Sequence, residues 1–254
     1  MSVAQIAAEI RDGSDPPVVM ASALGQPSSY WQPVINQLST GPQVVSYDRP
    51  GLGASPPRPA PNPPLTYSGF ASELDVLLDH LGFRMPVVLV GHSVGSLIIR
   101  MFAAMYPGRV AGMVHVDGSV PRLILWPGAD SNVDGDHPDA TEIDFASGEA
   151  EVMSAKLPRV PSIVLARTPG RWATPPLDPA TDSFWQHAQA DLAQGSGAAL
   201  IIAKSSGHNI PVDAPGLVAF AVDQVVISAR QGGSAAVLDT REVEKAGGSL
   251  AKSA

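Results

Sequence analysis

Cysteine is absent from all 254 residues of the sequence. Its absence excludes disulfide bonds, a thiolate nucleophile and cysteine-ligated zinc or iron–sulfur centres, so covalent catalysis would need another nucleophile. Basic residues are also scarce: 16 Lys and Arg stand against 24 Asp and Glu, which gives a net charge of -8. This charge repels a phosphate backbone or an anionic lipid surface, and we expect neither nucleic acid nor a membrane as a partner.

Long hydrophobic runs are lacking as well. No apolar stretch reaches membrane-spanning length, and the first ten residues have neither the basic start nor the apolar core of a secretion signal. We therefore predict a cytoplasmic protein. Gly and Pro, by contrast, number 24 and 25, which suits many short connections between strands and helices. With 44% hydrophobic residues, a chain of this length can bury one core and is predicted to form one globular domain.

Short apolar runs alternate along the chain with segments of helical period. The runs are continuous rather than alternating, as expected for parallel strands that are covered on both faces. This alternation predicts an α/β fold with a doubly wound, mostly parallel sheet. Two of the helices are expected to open with a capping aspartate, Asp182 and Asp213. The predicted strands are 16–21, 43–47, 86–90, 112–116, 161–166 and 198–203, and the predicted helices 31–38, 70–81, 94–105, 182–193 and 213–229.

Two stretches break this rhythm. Residues 119–157 show no strand pattern and are acidic and turn-rich, which predicts a small cap inserted over the carboxyl edge of the sheet. Residues 231–254 are Gly, Ser, Ala and charged residues without an apolar stripe, which predicts a flexible C-terminal tail. The main domain is accordingly predicted to span residues 1–230.

The most specific motif is Gly91-His92-Ser93-Val94-Gly95, at the point where a predicted strand ends and a predicted helix begins. Glycines on both sides allow a sharp turn, and such a turn presents the Ser93 hydroxyl above the sheet. Its place before a helix lets the following NH groups stabilise negative charge. The motif indicates a serine nucleophile that attacks an acyl carbonyl.

With these residues the chain resembles the α/β-hydrolase family over most of 16–229. The resemblance implies a Ser-acid-His triad in that chain order and an oxyanion hole after the first parallel strand, formed by the NH groups of Val94 and of Leu24, or of Ala23 if the loop is shifted. In three places the sequence departs from the family: Ser22-Ala23 replaces a usual His-Gly, Ser96 replaces a common second glycine, and the N-terminal strands are abbreviated. The matching segments are 18–25, 46–55 with its Tyr47-Asp48-Arg49-Pro50-Gly51 core, the elbow with its helix end at 103–107, and Ser206-Gly207-His208-Asn209-Ile210, which leads into Asp213 and Pro215.

A serine hydroxyl needs a base with a pKa near 7, and histidine is the ordinary choice. Of the six histidines, His208 follows the last predicted strand, where the chain returns to the carboxyl edge of the sheet. We predict that His208 is the base. His92 is expected to pack beside the site, and the remaining histidines are interpreted as structural or solvated: His80, His115, His137 and His187.

The acid is open between two aspartates. Asp117 ends the strand after the elbow helix, which places it at the same sheet edge as Ser93 and His208, and it is the preferred candidate. The family more often carries its acid after the following strand, where this chain offers no carboxylate before Asp178. Asp48 is interpreted as a structural residue that pairs with backbone and Arg49.

The expected substrate is a small molecule with a hydrophobic acyl or aromatic group. Leu125 and Trp126 of the predicted cap and Trp185 are the candidates to contact it, with the equal alternative that these residues only pack the cap onto the sheet. No cofactor or metal is predicted, since the spacing Asp130-x-Asn132-x-Asp134-Gly135 resembles a calcium loop but has Thr141 at its twelfth position. Ester hydrolysis is the preferred function. The alternatives are an acyltransferase, a lactone-forming enzyme or a C–C bond hydrolase on the same fold, and a non-catalytic ligand-binding protein.

Overall fold

A computed structural model describes residues 6–59, 62–121, 133–135, 140–172 and 178–251. The strands are β1 (Ala8–Arg11), β2 (Ser14–Ala21), β3 (Pro42–Tyr47), β4 (Val87–His92), β5 (Val110–Val116), β6 (Val133–Asp134), β7 (Thr141–Glu142), β8 (Ser162–Ala166), β9 (Ala199–Ala203) and β10 (Gly248–Leu250). The helices are α1 (Gln32–Ile35), α2 (Tyr67–His80), α3 (Val94–Met105), α4 (Phe145–Ser154), α5 (Pro179–Ser196), α6 (Ile210–Asp213), α7 (Pro215–Arg230) and α8 (Thr240–Lys245).

Eight strands form one sheet in the order β1-β3-β2-β4-β5-β8-β9-β10. The six central strands of this sheet, β3, β2, β4, β5, β8 and β9, are parallel. The two edge strands are antiparallel to their neighbours, β1 to β3 and β10 to β9. The predicted doubly wound, mostly parallel sheet is therefore confirmed. All six predicted strands are present. The edge strand β1 was not predicted, because its four residues are exposed or half-buried and carry no apolar run.

Helices cover both faces of the sheet and create two apolar cores. One core lies beneath α2, α3 and α4, and the other lies beneath α1 and α7. Strand residues alternate between the two cores: Leu89 packs into the first, whereas Val88 and Val90 pack into the second. Burial on both faces explains why these strands are continuous apolar runs in the sequence.

The segment predicted as a cap is described in part. Strands β6 and β7 pair as a two-stranded antiparallel sheet, which the sequence did not predict because strands of two residues show no periodicity. Helix α4 packs its Val152 into the core beneath α2 and α3, so the end of this segment belongs to the main domain. For residues 122–132 and 136–139, which lie outside the described residues, the cap stays a prediction.

The prediction of a flexible tail is wrong for residues 240–250. Helix α8 buries Val243 completely, and Gly248 of β10 pairs with Ala203 of β9 and extends the sheet by one strand. The sequence did not predict α8 or β10, because this segment contacts the core through single residues rather than through an apolar stripe.

Val243→Ala is expected to lower the free energy of unfolding by about 2 kcal/mol, since it removes two methyl groups from a fully buried site. Urea denaturation of both proteins measures this difference. Val237→Ala is the matched control and should leave stability unchanged, because Val237 is 80% exposed. Equal stability of all three proteins would mean that α8 does not pack on the core in solution.

Candidate active site

The turn between β4 and α3 holds Ser93 in a strained backbone conformation, with φ 53° and ψ −120°. Glycine is required on both sides of this turn. A Cβ at Gly91 would lie 2.5 Å from the Gly95 carbonyl oxygen, and a Cβ at Gly95 would collide with the Ala21 carbonyl oxygen. The sharp turn expected from the motif is present, and it leaves Ser93 8% exposed at the carboxyl edge of the sheet.

Three predicted site residues from distant parts of the chain meet at this edge. The Ser93 hydroxyl oxygen lies 3.0 Å from His208 Nε2, and His208 Nδ1 lies 2.7 Å from Asp117 Oδ2. His208 comes from the loop after β9, and Asp117 directly follows β5. The Ser93 hydroxyl also lies 3.2 Å from the hydroxyl of Ser119. Ser93 can thus pass its proton to His208, whose ring is oriented from its far side by a carboxylate.

Asp117 is fully buried and surrounded by donors. Its Oδ1 accepts from Trp185 Nε1 at 3.0 Å and from the backbone NH of Arg167 at 3.2 Å, while Oδ2 lies 3.4 Å from Arg167 Nη1. Burial disfavours the charged form, but the hydrogen bond and charge of His208 and the charge of Arg167 outweigh it, so the pKa of Asp117 lies below its usual value. With Ser93, Asp117 is one of the two non-glycine residues at positive φ in the described part of the chain.

Arg167 is a site residue that sequence reasoning missed. It directly follows β8, its side chain is fully buried, and its Nη2 donates to Asp182 Oδ1. Asp182 also accepts the backbone NH of Gly170 at 2.8 Å and lies inside α5, so the prediction that it caps this helix is wrong. The only signal in the sequence was an arginine at the end of an apolar strand. That position alone does not predict an ion pair with Asp182, fifteen residues further along the chain.

The alternative acid lies elsewhere. Asp178 caps α5 by accepting the NH groups of Ala180 and Thr181, each at 3.1 Å, and its carboxylate is exposed to solvent. Asp213 likewise departs from its predicted capping role, because Ala214 is the N-cap of α7 and Asp213 instead accepts the NH of Gly207.

The loop after β2, predicted to supply Leu24 or Ala23 to an oxyanion hole, lies against the elbow at Gly95. A buried ion pair between Arg49 and Asp134 is hydrogen-bonded to the backbone of this loop. Arg49 Nη2 donates to the Ala23 carbonyl oxygen at 2.7 Å, and Asp134 accepts the Gly25 NH at 2.8 Å. Across from the loop, Val94 begins α3, where backbone NH groups have no acceptor within the helix.

The roles predicted for Asp48 and Asp134 are thereby revised. Asp48 accepts backbone NH groups of Ser28 and Ala54, as expected of a structural residue, but Arg49 forms its ion pair with Asp134 instead. Asp134 was part of the weighed calcium spacing, and its carboxylate is occupied by Arg49 and Gly25. Asp130, Asn132 and Asp136 lie outside the described residues.

Aromatic rings enclose His208. Trp172 stacks on the imidazole at a centroid distance of 4.2 Å, and Trp185 meets it edge-on at 5.5 Å. Trp185, predicted to contact substrate, is 1% exposed and directs its NH to Asp117. The structure therefore places it behind the Asp117–His208 pair. Leu125 and Trp126 lie outside the described residues.

His92 packs beside the site, as expected. Its Nε2 lies 2.8 Å from the His208 carbonyl oxygen, and its ring stacks on Tyr30. Burial, together with the nearby His208, lowers the pKa of His92 to about 3, so it is neutral at physiological pH. His115 is buried against Ser96, His80 and His187 are exposed, and His137 lies outside the described residues.

Within the described ranges, no three or more His, Asp or Glu side chains form a group that could hold a metal ion. In the same ranges, no helix has both the length and the apolar character that crossing a bilayer requires.

A serine at a strand–helix elbow, in contact with a histidine and an aspartate above a doubly wound sheet, defines the class of α/β hydrolases. The chain belongs to this family: the family model for the alpha/beta hydrolase fold matches residues 16–159. Among curated proteins, "Putative carbamate hydrolase RutD" of Escherichia coli O17:K52:H18 (strain UMN026 / ExPEC) is 37% identical over 103 residues, which are 41% of this chain and 36% of that protein. The chain thus matches little more than a third of that relative's length.

Solved structures share the fold. The monoacylglycerol lipase of Paleococcus ferrophilus superposes with a TM-score of 0.67 at 17% identity, covering 88% of this chain and 99% of the lipase. A thermophilic esterase from Thermogutta terrifontis superposes with a TM-score of 0.61 at 19% identity, covering 88% of this chain and 93% of the esterase. These similarities extend the fold assignment beyond the residues that the family model matches.

Proposed function

We propose that this protein is a serine hydrolase that cleaves an ester or a related acyl bond of a small molecule. One observation carries the proposal: the Ser93 hydroxyl contacts His208 Nε2 at 3.0 Å while His208 Nδ1 contacts Asp117 at 2.7 Å. This arrangement supports a nucleophile, a general base and an orienting carboxylate in a single chain of contacts. Ligand binding without catalysis would not require these contacts between Ser93, His208 and Asp117.

In the proposed reaction His208 Nε2 removes the Ser93 proton as the hydroxyl oxygen attacks the acyl carbonyl carbon. The tetrahedral oxyanion accepts hydrogen bonds from the NH of Val94 and from the NH of Leu24 or Ala23. His208 then protonates the leaving group, and an acyl-enzyme remains on Ser93. Water, deprotonated by His208, hydrolyses this ester and restores the serine.

The substrate is proposed to carry a hydrophobic acyl or aromatic group. Support comes from the half-buried rings of Trp172 and Tyr30, which stack on His208 and His92. A carbamate is the second candidate, because the 37% identical relative is named a carbamate hydrolase. Both substrates present the same carbonyl to Ser93 and differ in the group that leaves or remains on the acyl-enzyme.

Labelling with a fluorophosphonate probe tests the nucleophile, and peptide mass spectrometry should find the probe on Ser93. A panel of p-nitrophenyl esters of increasing chain length, with a p-nitrophenyl carbamate, then ranks the substrates by kcat/KM. Product analysis with and without added alcohol separates hydrolysis from acyl transfer. No labelling and no turnover of any substrate would contradict the proposal.

A further inference from the structure

The Asp117 carboxylate, which contacts His208, is itself in contact with a buried arginine, Arg167. Arg167 lies fully buried between two aspartates, with Nη1 3.4 Å from Asp117 Oδ2 and Nη2 donating to Asp182 Oδ1. Its guanidinium carbon also lies 4.7 Å from the ring centroid of Trp172 and 5.2 Å from that of Trp185. Within the described residues, these are the two indoles that contact the His208 imidazole. Arg167 therefore contacts three of the side chains that surround His208: Asp117, Trp172 and Trp185.

We propose that Arg167 and Asp182 are positioning residues that set the pH range over which His208 works as a base. The inference rests on the proposed function, since it assigns a role to residues behind the proposed Ser93–His208–Asp117 site. Neither residue touches Ser93. Both act through Asp117, Arg167 by direct contact and Asp182 through the charge of Arg167.

Arg167 and Asp182 have opposite effects on the protonation of His208. The negative Asp117 favours the protonated imidazole, and the positive Arg167 offsets part of that effect, because the Arg167 and Asp117 side chains are both fully buried and close together. Asp182 in turn neutralises part of the charge of Arg167. A fully buried carboxylate with no cation other than His208 would hold the imidazole protonated to higher pH, where it cannot accept the Ser93 proton.

Other titratable groups face this site. His92 contacts the His208 backbone and is neutral at physiological pH, since burial lowers its pKa to about 3. Asp213 accepts the NH of Gly207, the residue before His208. Tyr30 stacks on His92, and burial raises its pKa well above the usual value, so it is uncharged in the working range. The charged groups next to this site along the chain are the exposed Lys204, at the start of the His208 loop, and Asp213 in α6. Both are the same in the wild type and in every variant.

The test is the pH profile of kcat/KM for a p-nitrophenyl ester. The wild type should gain activity along one titration between pH 5 and 8. In Arg167→Gln the acidic limb should move to higher pH by about one unit, because the positive charge beside Asp117 is gone. In Asp182→Asn it should move to lower pH, because the charge of Arg167 is less neutralised.

Two further variants serve as controls. Arg167→Lys keeps the charge and should restore the wild-type limb, whereas Arg171→Gln removes an exposed arginine and should leave the profile unchanged. Should Arg167→Gln not yield folded protein, Asp182→Asn decides by its downward displacement.

Loss of activity or stability in both variants with an unmoved acidic limb would show a purely structural role and overturn the inference. A ¹⁵N-histidine NMR titration reads the His208 ring in the same variants without turnover. If the protein has no hydrolase activity but the ring titration moves in opposite directions, the proposed function fails while the electrostatic role of Arg167 and Asp182 stands.

Discussion

Ser93→Ala is expected to lower kcat on any ester substrate by about 10⁴- to 10⁶-fold and to abolish labelling by a fluorophosphonate. The reason is that no other nucleophile can replace a hydroxyl that lies 3.0 Å from His208 Nε2. Thermal stability should change little, since the substitution removes one hydroxyl group at the edge of the sheet and leaves both flanking glycines in place. Turnover, mass-spectrometric labelling and the melting temperature measure the three effects.

Ser119→Ala is the matched control for this variant. Its hydroxyl lies 3.2 Å from that of Ser93 but forms no contact with His208 among the hydrogen bonds of the described residues. Labelling of Ser93 should therefore persist when Ser119 is replaced. If the Ser93→Ala protein is still labelled, at Ser119 or at another serine, the assignment of the nucleophile is wrong.

Asp117→Asn is expected to lower kcat by up to about 10⁴-fold. An asparagine amide turned toward His208 Nδ1 would donate rather than accept a hydrogen bond, which favours the tautomer that carries a proton on Nε2 and cannot act as a base. The variant should also lose stability. Asp117 accepts hydrogen bonds from Trp185 and Arg167 at a fully buried site, and an amide group cannot satisfy all of these donors.

Asp178→Asn separates this effect from a general effect of removing a carboxylate. Asp178 lies on the surface at the start of α5, and asparagine is an equally good N-cap, so both activity and stability should be retained. Kinetics and thermal melting of the two variants provide the comparison. A crippled Asp178→Asn enzyme beside an active Asp117→Asn enzyme would mean that Asp117 is only structural and that the third member of the site is wrong.

Much of the fold was predictable because each central strand carries its own signal. Val88, Leu89 and Val90 are apolar because β4 is covered on both faces, and that burial is visible as a continuous run in the sequence. The elbow was predictable for a similar local reason. Its two glycines and its serine are adjacent in sequence, and the sharp turn requires them in that order.

The contacts of the site were only partly predictable. Parallel strands place their carboxyl ends at one edge, so the positions of Asp117 and His208 after β5 and β9 indicated that they would lie near Ser93. Trp185 was assigned to a substrate surface from its aromatic character, and Asp182 to a helix cap from its place at the start of a helical segment. Neither pattern indicates that α5 packs these side chains against Asp117 and Arg167.

The sequence by itself determined the local features: the strands, the elbow, the absence of a thiol and the candidate nucleophile and base, each encoded by neighbouring residues. Only the tertiary structure decided which carboxylate faces His208, that Arg167 joins Asp117 to Asp182, that Asp134 holds Arg49, and that β10 pairs with β9. Each of these depends on residues far apart in sequence. A buried charge needs a partner wherever the packing provides one, and an open strand edge pairs with whichever segment reaches it. Composition and residue spacing do not predict which residue pairs with a buried charge or which segment pairs with a strand edge.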